Sequence, residues 1–259
     1  SAGGRPDLGL PGRYGEGMCG RVVTTSSPEE LSEYVAAWDV IDALEGPDHN
    51  VAPSGLLPVA WVDDQADSGR VLGVARWGLV PSWATDPAVG LRLFNARAET
   101  VATKPSFRAA FRRRRCLVLI DGFYEWGPGV AGSPKQPWFV RRVDGSPLAL
   151  AGLWESRFDD VRTLRTCTVV TVPANADLTP VHHRMPAVVA ENDWDRWLDP
   201  ATSVRHTLEE VLVPSPGGLL ALHPVDRRVN DARQKGRELT VPVPLEASAD
   251  RMGSQEALW

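Results

Sequence analysis

The chain has 259 residues, 43% hydrophobic and 24% charged, with a net charge of −5. That length buries a full core as one large domain or two small ones, and the composition is that of a globular protein. No apolar run approaches the roughly 20 residues needed to span a bilayer, so no membrane role is expected. An acidic balance excludes a surface coated uniformly in basic patches.

Residues 1–17 (SAGGRPDLGLPGRYGEG) are rich in Gly and Pro and lack both the basic and the apolar regions of a secretion signal. A flexible arm or start-site extension is expected there, with the cytoplasm as the compartment. Folded sequence begins near Met18. Ser27-Pro28-Glu29-Glu30 is a capping box with proline at the first helical position, and Leu31, Tyr34, Val35 and Trp38 follow at helical spacing. This predicts a helix over 28–39.

The segment GPDHNVAPSG reads as turns. LLPVAWV and VLGVARWGLV read as strands, FNARAET leads into a helix, and SFRAAFRRR sets Phe107, Ala110 and Phe111 in an apolar stripe against arginines. CLVLIDGFYEW is expected as a buried strand ending in a glycine turn. WFVRRV, LALAGLW and TCTVVTV continue the strands, while ENDWDRWL and SVRHTLEEVL read as helical. Strands outnumber helices without βαβ alternation. The expected fold is therefore α+β: a single domain over 18–239 with a mixed, mainly antiparallel, barrel-like sheet core flanked by helices. Residues 240–259 are expected as a loosely held tail.

The three cysteines form neither a disulfide framework nor a zinc pattern, and no metal or organic cofactor is expected. Cys116 and Cys167 lie in apolar, β-branched runs and read as core. Cys19, in MCGRVV, is flanked by Met18, Gly20 and Arg21, and a nearby guanidinium favours a thiolate. Between Arg92 and Arg115 eight basic residues stand against one acid, Glu99. Such a segment is either a solvated helix face or a local surface for phosphates.

Asn95 in FNARAET, Glu125 in DGFYEWG, His182 in PVHHRMP, and Asn50 with Pro53 in HNVAPSG place polar groups where strand packing gives no reason for them. Singly, each has a plain structural explanation. Together with Cys19 they are the residue types a thiol nucleophile needs for orientation and proton transfer near neutral pH. A papain-like protease also combines Cys, His and Asn, but its local cysteine signature is absent here.

MCGR, NVAP, RWGLVPSW, NARAET followed by PSFR, RRCLVLIDGFYEW, LAGLWE, HHRMPAVV and HPVDRRVN occur in that order. This set closely resembles the SRAP family, the SOS-response-associated peptidases or abasic-site processing proteins, over about four fifths of the chain. The resemblance implies action on abasic sites in single-stranded DNA through a cysteine exposed by loss of the initiator methionine. It makes Cys19 the nucleophile and Asn95 its orienting partner, with Glu125 and His182 as the proton-transfer groups. Arg21, Asn50, Arg97, Arg108 and Arg184 become DNA contacts, and Trp83 and Pro53 stack on or wedge against flanking bases. Trp77 and Trp126 serve either there or in the core. Where many relatives have an acidic residue after the motif histidine, this chain has His183.

An N-terminal cysteine traps the aldehyde of a ring-opened abasic sugar by amine condensation and then thiol closure to a thiazolidine. Its α-amine, with a pKa of about 7.7, is partly unprotonated at neutral pH. That chemistry requires Cys19 to be N-terminal, and initiation at Met18 with its removal is the simplest expected route. An AP-lyase side reaction and a peptidase activity are implied as further possibilities. A monomer that shields the lesion in DNA damage is expected. An N-terminal-nucleophile thiol peptidase acting on itself or on another protein, and a noncovalent single-stranded DNA module, stand as alternatives.

Overall fold

The computed structural model describes residues 20–37, 39–40, 46–63, 69–129, 134–158, 163–202 and 204–245. Cys19, Trp38 and the arm lie outside the described residues. The strands in chain order are β1 (Val22–Thr24), β2 (Asp39–Val40), β3 (Asp48–Val51), β4 (Leu56–Val62), β5 (Arg70–Trp77), β6 (Asn95–Arg97), β7 (Arg115–Ile120), β8 (Gly122–Gly127), β9 (Gln136–Arg142), β10 (Leu148–Phe158), β11 (Thr163–Pro173), β12 (Arg184–Pro186) and β13 (Leu220–Pro224). The α-helices are α1 (Pro28–Val35), α2 (Ala98–Val101), α3 (Arg108–Arg113), α4 (Trp194–Leu198) and α5 (Arg205–Glu209). No helix among the described residues is long and apolar enough to cross a membrane.

Strands β11, β10, β7, β4 and β5 pair in sequence, each antiparallel to the next. The ring closes where β5 meets β11 in parallel, Arg76 opposite Thr166 and Trp77 opposite Cys167. The result is a closed, mixed five-stranded barrel, as expected from the strand-rich pattern. Both faces of its wall are covered: Val59, Leu117, Val118, Leu119, Leu150, Val169 and Val170, which alternate between the inside and the outside of the ring, are fully buried. Cys116 and Cys167 share that core, and burial pushes the Cys167 thiol up to about 12 and that of Cys116 well above its ordinary value. Both are inert packing, as their β-branched surroundings predict.

A second sheet, in the order β13-β9-β8-β1-β3, packs beside the barrel. Side chains alternate across it: Val22 and Phe123 face the barrel core, whereas Val23 and Tyr124 face a smaller cluster with Phe139, Val225, Val229 and Leu239. The segment CLVLIDGFYEW is thus two strands rather than one strand and a turn. Asp121 between them accepts from the backbone N–H groups of Thr25 and Ser26 and from the Ser26 hydroxyl, fixing the exit of β1. Likewise DHNV, expected as a turn, is the edge strand β3.

The Ser27 capping box forms as its residues predict, but α1 stops at Val35, where Ala36 takes the left-handed conformation, φ 50°. Arg115, only 2% exposed, donates to the carbonyls of Phe111, Arg112, Trp197, Asp199 and Thr202. It caps the C-terminal ends of α3 and α4, where unsatisfied carbonyls carry the negative end of the helix dipole. Just after the fully buried Leu239, the first residues of the expected tail are tied to the sheet, Val243 N–H donating to Pro224 O at 3.0 Å.

Candidate active site

At the end of β11, Thr171 pairs with Arg97 of β6 on one edge and with Pro186 of β12 on the other. This places Asn95 and Arg97 on one side of a strand and the His182–Arg184 segment on the other. The start of β6 is held from below: the Trp77 indole N–H donates to Phe94 O at 2.8 Å, one residue before Asn95. Trp77 is 1% exposed and belongs to the core, which settles one of the two tryptophans left open by the sequence.

His182 is half-buried, whereas His183, its stacked neighbour at 4.4 Å between ring centroids, is exposed. The N–H of Arg184 donates to His182 Nδ1 at 3.1 Å. The carbonyl of the same residue lies 3.2 Å from Nδ1 and accepts from it when that nitrogen carries a proton. Burial holds the His182 pKa below its ordinary value, a shift opposed by the nearby Arg184 carbonyl and reinforced by His183, Lys135 and Arg184.

Glu125 is 2% exposed and shares a face of β8 with Phe123 and Gly127. A Cβ at Gly127 would lie 2.8 Å from Val181 Cγ1 and 3.1 Å from Val181 O. Only glycine permits that approach, which brings the His182 loop against the face of β8 that carries Glu125. The β1–β8 ladder pairs Val22 with Phe123, and Tyr124 N–H donates to Arg21 O at 3.0 Å. In that register Gly20 comes opposite Glu125, and Cys19 is one peptide bond upstream.

The remaining predicted contacts fall into distinct environments. Arg97 and Arg108 are exposed. Arg184 is buried, donating to both oxygens of Glu99, at 2.5 and 3.1 Å, and to Thr171 O at 2.6 Å. That guanidinium holds the Glu99 carboxyl below its usual range. Asn50 is fully buried and gives its amide to the carbonyls of Val229, Asp231 and Gln234, each at 3.1 Å. With no exposed surface in this conformation, it fastens the segment after β13, through acceptors about 180 positions away.

Trp83 is 61% exposed. Its loop springs from Gly78, φ 129°, and returns at Gly90, each glycine so close to the other's carbonyl that a Cβ would lie 2.5 to 2.6 Å from it. Val80 N–H to Thr166 Oγ1 and Arg157 to Ala84 O pin the loop further. The turn carrying Pro53 is tied to the same base, Ser54 N–H donating to Trp77 O at 2.8 Å. Pro53 also borders a cleft of about 380 Å³ with Val51, Leu56 and Pro58.

Sequence reasoning missed Asn230, although HPVDRRVN contains it. Its Oδ1 accepts from the Trp126 indole N–H at 2.7 Å, and its carbonyl accepts from Arg21 at 3.3 Å. Glu99 was noted only as the lone acid among basic residues. Among the described residues, no cluster of His, Cys, Asp or Glu has a metal-binding arrangement.

Residues 18–232 match the family model for SOS response associated peptidase (SRAP). The chain is 32% identical over 224 residues to the abasic site processing protein YoaM of Bacillus subtilis, spanning 86% of this chain and 97% of that one. It is 34% identical to the abasic site processing protein HMCES of Gallus gallus, over 88% of this chain and 79% of the relative. The fold is similar to a crystal structure of a protein from Bacteroides thetaiotaomicron, with a TM-score of 0.73 at 20% identity, over 87% of this chain and all of that one. The chain belongs to the SRAP family.

Proposed function

We propose that this protein processes abasic sites in single-stranded DNA by forming a covalent thiazolidine through Cys19, once that residue is N-terminal. The observation that supports this reading is that β8, which carries Glu125, has the segment leading into β1 on one edge and the His182 loop packed on Gly127 through Val181. The names of the similar proteins point to the same lesion.

The chemistry balances without a cofactor. The free α-amine of Cys19 adds to C1′ of the ring-opened sugar, giving a carbinolamine. Loss of one water forms the imine, and the thiol then adds across C=N to close the ring. One C–N and one C–S bond form, and the thiol proton ends on nitrogen.

Glu125 serves the carbinolamine dehydration, which needs a proton at the departing hydroxyl. His182 serves opening of the closed sugar, where its imidazolium protonates the ring oxygen. Asn95 orients the nucleophile. Arg21, Arg97 and Arg108 contact phosphates, Arg184 reaches one only by exchanging Glu99 for it, and Trp83 and Pro53 meet flanking bases.

The test is intact mass spectrometry of protein beginning at Cys19, and of the full 259-residue chain, each incubated with a single-stranded oligonucleotide bearing one abasic site. The trimmed protein should gain the oligonucleotide mass less one water, and Cys19→Ala should not. Adducts on neither protein, or an equal adduct on Cys19→Ala, would overturn the assignment.

A further inference from the structure

The eight basic residues between Arg92 and Arg115 divide into those that the fold uses and those that it leaves at the surface. Arg115 is buried as a carbonyl cap, and Arg114 pairs with Glu155 at 2.7 Å. Lys104, Arg108, Arg112 and Arg113 are exposed. Among the described residues none of these four has a carboxylate within ion-pair distance, whereas Arg70, Arg142, Arg184, Arg196, Arg205 and Lys235 each do.

Their spacing is ordered. Phe107 and Arg108 N–H both donate to Lys104 O at 2.9 Å, so the helical turn begins at Lys104 and runs into α3. Lys104, Arg108 and Arg112 then stand at i, i+4 and i+8, in single file over about 12 Å, with Arg113 beside them. Like charges at that spacing destabilise a helix by a few tenths of a kcal/mol per pair. Burial of Phe107, Ala110 and Phe111 on the opposite face holds α3 in spite of them. Helix stability accounts for part of the row, since Arg112 and Arg113 meet the negative end of the α3 dipole and Lys104 Nζ lies 5.4 Å from the Phe107 ring centroid, but it gives no reason for Arg108 or for the absence of acidic partners, and the protein's net charge of −5 makes the row a local exception.

The row also follows the site closely along the chain. α2 follows Arg97 directly, and Lys104 comes three residues after α2 ends. We propose that Lys104, Arg108, Arg112 and Arg113 form a phosphate track that holds the DNA strand where it continues beyond the nucleotides at the lesion. This rests on the abasic-site reading and adds to it a second, sequence-independent contact. Such contacts fix a strand without reading bases, and each phosphate neutralised adds about 0.7 to the slope of log affinity against log salt.

The test uses Cys19-initiated protein carrying Lys104→Gln, Arg112→Gln and Arg113→Gln together, which removes charge and keeps helix propensity. Affinity is measured across salt concentrations for single strands of about 5 and about 25 nucleotides, with and without a central abasic site. The triple variant should lose roughly tenfold in affinity on the long strand and about 2 from its salt slope. Trapping of the short abasic strand should stay at the wild-type rate. An unchanged slope on the long strand, or an equal loss on the short one, overturns the track. If wild-type protein fails to trap the abasic strand, the abasic-site reading falls, while the intact long strand still decides whether the track binds.

Discussion

The indole N–H of Trp126 donates to Asn230 Oδ1 at 2.7 Å, and the carbonyl of the same asparagine accepts from Arg21 at 3.3 Å. One residue near the C-terminal end of the fold thus joins the strand that follows Cys19 to the strand that carries Glu125. Asn230→Ala removes the indole bond and should cost about 1 kcal/mol of stability. It should slow adduct formation by more than it weakens noncovalent DNA binding, because the mutual position of β1 and β8 loosens. Asn230→Asp keeps an acceptor and should restore the rate. Equal losses in binding and rate would reduce Asn230 to ordinary packing.

His182 sets a second expectation. Its lowered pKa leaves only a minor imidazolium fraction at neutral pH, and that fraction falls further as pH rises. The unprotonated α-amine of Cys19 grows over the same range, up to about 7.7. The product of the two fractions is a bell whose optimum lies between the His182 value and about 7.7. His182→Gln should lower the rate by roughly 10²-fold and leave a profile that only rises to a plateau. A bell that survives the substitution would take the acid role from His182.

Glu99 faces Arg184 with both oxygens, and in the proposed DNA complex it would compete there with phosphate. Glu99→Gln should therefore raise affinity for single-stranded DNA several-fold and steepen the salt slope by about 0.7. Since Arg184 holds the Glu99 pKa below its ordinary value of 4.5, the pair stays charged above that pH. The gain should be flat from about pH 5 to 8, and weaker binding by the variant would show that Glu99 only braces Arg184.

Arg115 carries a stability prediction separate from DNA. Burial lowers its pKa to about 10, and its partners are carbonyls, not carboxylates. Arg115→Met keeps volume but abandons the ends of two helices, so denaturant unfolding should show a loss of about 3 kcal/mol or more. Arg115→Lys carries fewer donors on a single centre and should recover only part of that.

Gly90→Ala places a Cβ against Gly78 O and must spread the base of the Trp83 loop. Tryptophan fluorescence quenching by a short single strand should weaken several-fold, with the barrel's thermal midpoint little changed. Trp83→Ala should remove the same stacking contribution, about 1–3 kcal/mol of DNA binding.

How far the sequence could be read depended on the range of the forces involved. The Ser27 capping box, the apolar stripe of α3 and the barrel strands were legible because each is decided within a few residues. DHNV and DGFYEWG were misjudged because Asn, Asp and Gly signal turns locally, whereas here β3 and β8 are held by cross-strand partners far along the chain. Asn95, Glu125 and His182 stood out as polar residues without a local purpose. Nothing local separates Asn50 from them: its three acceptors lie at Val229, Asp231 and Gln234. Asn230 was hidden for the same reason, its two donors lying 104 and 209 residues away.

The barrel closes through its one parallel joint, Arg76 with Thr166 and Trp77 with Cys167, and the Trp83 loop leaves the chain at the next residue. Parallel pairing is slightly less stable per residue than antiparallel, so this one parallel seam is the cheapest place in the ring to breathe, and its opening would release the aromatic loop without disturbing the four antiparallel joints. Amide hydrogens at Gly78 and Val80, bonded to Cys167 O and Thr166 Oγ1, should therefore exchange before those inside β7 and β10. A strand of DNA lying across Trp83 would slow them, so exchange at two backbone positions reads out, from inside the barrel wall, whether the outer surface is occupied.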